Sequence, residues 1–62
     1  MIISTKDADL AMDVSLYIYE RTGKKYEPHS TGLISQYVTD EHASLIREKF
    51  SGRGVWIDGK AI

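Results

Sequence analysis

The sequence contains no cysteine, which removes disulfide bridges and thiolate metal sites from consideration. It has one proline, Pro28, and no apolar run approaching the length a bilayer requires. Neither sign of charge dominates: eight Lys/Arg stand against nine Asp/Glu, for a formal net charge of −1. Many nucleic-acid-binding domains are clearly basic because phosphate contacts supply much of their affinity, so near-neutrality argues against that class without closing it. Met1 to Asp7 lacks the positive n-region and long apolar core of a secretory signal. The expectation is a cytoplasmic protein with no membrane association.

What is present must fold by packing alone. Sixty-two residues make one domain, 1–62, near the lower limit for a chain without covalent staples. Hydrophobic residues form 42% of it, too many for a disordered tail. Self-association is a natural further source of stability at this size.

The segment Asp7 to Arg21 is the strongest signal. At about 100° per residue, Leu10, Ala11, Val14, Tyr17 and Ile18 form one apolar stripe of a helix. Ala8, Met12, Leu16 and Tyr19 form a second stripe roughly opposite, and Asp9, Asp13 and Glu20 form an acidic ridge between them. A surface helix needs one apolar face; the second must be covered by the rest of the fold or by a partner. Ser4-x-x-Asp7 loosely matches a capping box, and Gly23 is suited to end the helix in a left-handed conformation.

Elsewhere the pattern is shorter-ranged. Met1 to Ser4 reads as a short strand, and Lys25 to Glu27 as a short edge strand before a turn at Pro28 and His29. Gly32 to Val38 fits a strand slightly better than a helix. Thr39 is a natural N-cap, with Asp40 and Glu41 in the first turn of a second helix. Ala43, Ile46, Arg47 and Phe50 define one face of that helix, which ends near Gly52. Arg53 to Ile57 resembles a strand, Asp58-Gly59 is a hairpin turn signal, and Lys60 to Ile62 can return as a stub strand. The fold expected is α+β: a small two-layer sandwich in the order strand, helix, strand or strands, helix, strand. This is similar, in element order alone, to a reduced ferredoxin-like arrangement. The alternative is a winged helix, with Ser30 to Val38 helical, Thr39 to Ser51 as recognition helix and Val55 to Ile62 as the wing.

Motifs that carry chemistry are weak. His29 and His42, with Glu27, Asp40 and Glu41 nearby, lack zinc-site spacing. Asp9 and Asp13 are carboxylates at i and i+4, a pattern typical of a wet face. Gly52-Arg53-Gly54 lacks the later residues of a phosphate-binding loop. No catalytic group, metal or cofactor is therefore expected, and no small-molecule substrate. Basic and aromatic groups occur at Lys24, Lys25, Tyr26, Arg53 and Trp56, while a core Trp56 near Phe50 is the simpler expectation.

No motif points to a known family. The sequence favours a non-enzymatic protein–protein interaction module: a homodimer, or a small regulator or inhibitor of a larger protein, of the size common among bacterial and phage accessory proteins. Its expected contact residues are Met12, Leu16 and Tyr19, with Tyr26, Arg53 and Trp56 as a second surface. The alternative is a winged-helix DNA-binding regulator using Arg47, Arg53 and Lys60.

Overall fold

Local signals set the ends of both helices. In the computed structural model, which describes residues 1–62, α1 spans Ala8–Thr22 and α2 spans Asp40–Phe50. Asp7, not Ser4, caps α1: its extended backbone lets the carboxylate accept a hydrogen bond from Leu10 N–H at 2.8 Å. Ser4 is engaged in a strand instead, so the capping-box spacing is coincidental. Gly23 closes α1 at φ 79° and donates its N–H to the Tyr19 carbonyl, as its lack of Cβ permits. Thr39 caps α2 by accepting from His42 N–H.

Three short strands complete the regular structure: β1 (Ile3–Thr5), β2 (Val55–Ile57) and β3 (Lys60–Ala61), antiparallel in that order. Asp58 and Gly59 join β2 to β3 with φ of 52° and 83°, the paired positive angles of a type I′ turn. In register, Ile3 faces Ile57, Ser4 faces Trp56 and Thr5 faces Val55. Ile3, Thr5, Val55 and Ile57 are buried, while Ser4 and Trp56 are half-buried on the other face, as the period-two alternation of strands requires. Trp56 therefore lies on the outer face of the sheet, away from Phe50 and the core, contrary to the expectation from sequence.

Both helices cover the inner face, giving the expected two-layer α+β domain. Buried side chains from every layer form one cluster, including Ile3, Val14, Ile18, Ile46, Phe50, Val55 and Ile57. Arg47, grouped with Ala43, Ile46 and Phe50 on one face of α2 from sequence, is exposed whereas those three are buried.

The link between the helices differs from expectation. Lys25 to Glu27 forms no strand, and Gly32 to Val38 contributes two isolated bridges, Ser4 with Leu33 and Pro28 with Ile34. The hydrogen bonds explain why. Ile34 N–H donates to the Ile3 carbonyl and Val38 N–H to the Met1 carbonyl, so four residues on one side are matched to two on the other. Ser35, Gln36 and Tyr37 bulge out, and Tyr37 is 76% exposed. Residues 30–38 contain no helix, so the winged-helix arrangement is not the one adopted.

Gly32 seats this link against β1. Its carbonyl accepts from Thr5 N–H at 2.9 Å, and Thr5 Oγ1 lies 2.8 Å from the same carbonyl and 2.7 Å from that of Asp7. At φ +93°, a Cβ on Gly32 would stand 2.6 Å from the Thr5 carbonyl oxygen. Gly32→Ala is expected to cost about 3 kcal/mol in urea unfolding, from left-handed strain plus overpacking. Gly59→Ala, whose Cβ would meet nothing, should cost about 1 kcal/mol from strain alone.

Candidate interaction surface

The two stripes of α1 meet different fates. Leu10, Ala11, Val14 and Ile18 are buried and Tyr17 is half-buried. Met12, Leu16 and Tyr19 remain 50%, 51% and 51% exposed. They sit at i, i+4 and i+7, one side of a helix, turned away from sheet and α2. Neither the sheet nor α2 covers this stripe.

Leu16 is a ridge between two grooves. On one side a groove of about 520 Å³ runs between α1 and the return segment, lined by Met12, Ser15, Leu16, Tyr19, Tyr26 and Pro28, with Lys25 and Glu27 along its wall. On the other side a groove of about 480 Å³ is lined by Asp13, Leu16, Tyr17, Glu20 and the C-terminal end of α2 with Arg53. The first is largely apolar; the second is charged.

The walls of both grooves are held by aromatic contacts. Tyr26 is 3% exposed, and its hydroxyl lies 2.7 Å from His42 Nδ1, fixing the return segment to the start of α2. Lys24 Nζ stands 5.5 Å above the Tyr26 ring. On the other side Tyr17 and Phe50 meet edge to face at 5.7 Å. Arg21 and Lys49 stack on Tyr17, and Arg53 on Phe50, at 5.2 to 5.7 Å. Such cation–π contacts contribute about 0.5–1 kcal/mol each at exposed sites, enough to orient the cations.

Of the six contact residues expected from sequence, the structure brings four together: Met12, Leu16, Tyr19 and Tyr26 share the apolar groove. Tyr26 serves as its buried wall instead of an exposed contact. Arg53 lines the charged groove with Leu16. Trp56 is apart, on the outer sheet face, where Leu33, Ser4, Trp56 and Ala61 form one cross-strand row. Leu33 and Ile2, 39% and 46% exposed, enlarge that apolar face. Sequence reasoning missed both, although alternation along Ile2-Ile3-Ser4 predicts Ile2 outward once Ile3 is inward. Arg47, Arg53 and Lys60 lie on α2, the turn after it and β3, all exposed.

Ser15 is the other residue the sequence did not reveal. It is buried beneath the apolar groove, and its hydroxyl has no hydrogen-bond partner. Among His, Asp and Glu side chains, no three converge as a metal site; His29 contacts Thr31, and His42 contacts Tyr26. No helix is long and apolar enough to cross a membrane. No family model matches the chain, and no curated protein or solved structure matches it either, so the surface is read from its own geometry.

Two substitutions separate the roles of the groove walls. Ser15→Ala removes an unsatisfied buried hydroxyl from a helix and should raise stability by about 0.5–1 kcal/mol in chemical denaturation. Tyr26→Phe deletes the bond to His42 and should lower it by about 1 kcal/mol.

Proposed function

We propose that the chain is a small non-enzymatic interaction module that docks through the outer stripe of α1, as a homodimer or as a regulator or inhibitor of a larger protein. The half-exposed line of Met12, Leu16 and Tyr19 carries this reading. Methionine and tyrosine are enriched at interfaces because one adapts its shape and the other combines area with a polar end. The adjoining apolar groove adds a concave site beside a convex ridge.

Energy sets the kind of contact. Full burial of such side chains contributes roughly 1.5–3 kcal/mol each, so completing the remaining half of three gives about 2–4 kcal/mol before association costs. That suits a weak contact, strengthened by groove and charge terms, more than a permanent one.

Leu16→Glu tests the reading. Because Leu16 is half exposed, the variant should keep its helical circular dichroism and unfold within about 1 kcal/mol of wild type. It should also lose the protein, self or other, that wild type retains on cross-linking in native lysate. Retention of the same cross-linked species by a folded Leu16→Glu variant overturns the reading.

A further inference from the structure

We draw no further inference here: the strongest candidate, the apolar groove between α1 and the return segment with the unpartnered Ser15 hydroxyl beneath it, belongs to the surface already described, its hydroxyl is sealed from contact with any occupant, and nothing in the structure shows what covers it.

Discussion

The fold depends on β1 being bonded along both edges. On one side it is in antiparallel register with β2; on the other Ile3 accepts from Ile34 N–H, Thr5 N–H donates to the Gly32 carbonyl and Ser4 bridges to Leu33, while Met1, just ahead of the strand, accepts from Val38 N–H. The terminal ammonium of Met1 adds a 2.6 Å bond to the Val38 carbonyl. A strand of three residues would be marginal in a two-stranded ribbon. Held from both edges, it becomes the axis on which the helical layer rests. Thr5 is the junction, since its N–H and hydroxyl both engage Gly32 while its hydroxyl also reaches the carbonyl of Asp7, the cap of α1.

This arrangement determines what α1 exposes. With only three short strands below and an eleven-residue α2 beside it, the inner layer can cover one side of a fifteen-residue helix and no more. The return segment after Gly23 reaches the flank of α1 through Tyr26, anchored to His42. It stops short of Met12, Leu16 and Tyr19. Ser15 marks the border: far enough round the helix to be buried, yet not among polar partners. The uncovered stripe of Met12, Leu16 and Tyr19 follows from a shortage of covering elements.

Helix ends and the hairpin were legible in the sequence because each rests on one or two residues acting locally. Gly23, Thr39 and Asp58-Gly59 behave as their intrinsic conformational preferences dictate. The outer stripe was legible for the same reason, as helical periodicity is a local property. What the sequence hid is long-range. The Gly32–Val38 link looks strand-like in composition, but its partners are Met1 and Ile3, and a mismatch in spacing there breaks the ladder. Trp56 was misplaced because alternation gives two faces without saying which is inside; Val55 and Ile57 together outweigh one indole. Tyr26 appeared as a surface aromatic until His42, sixteen residues away, was brought beside it.

The placement of β1 also governs the order in which the molecule can assemble. Its mates in β2 lie fifty or more residues downstream (Ile3 with Ile57, Thr5 with Val55), so that pairing carries a large loop-closure entropy. Helical turns form within microseconds from nearby residues, whereas this ladder must wait for nearly the entire backbone to collapse. Distant partners of this kind slow folding and couple the two extremities of the polypeptide into one cooperative transition. A lesion at either extremity is consequently felt as a change in the unfolding of all of it.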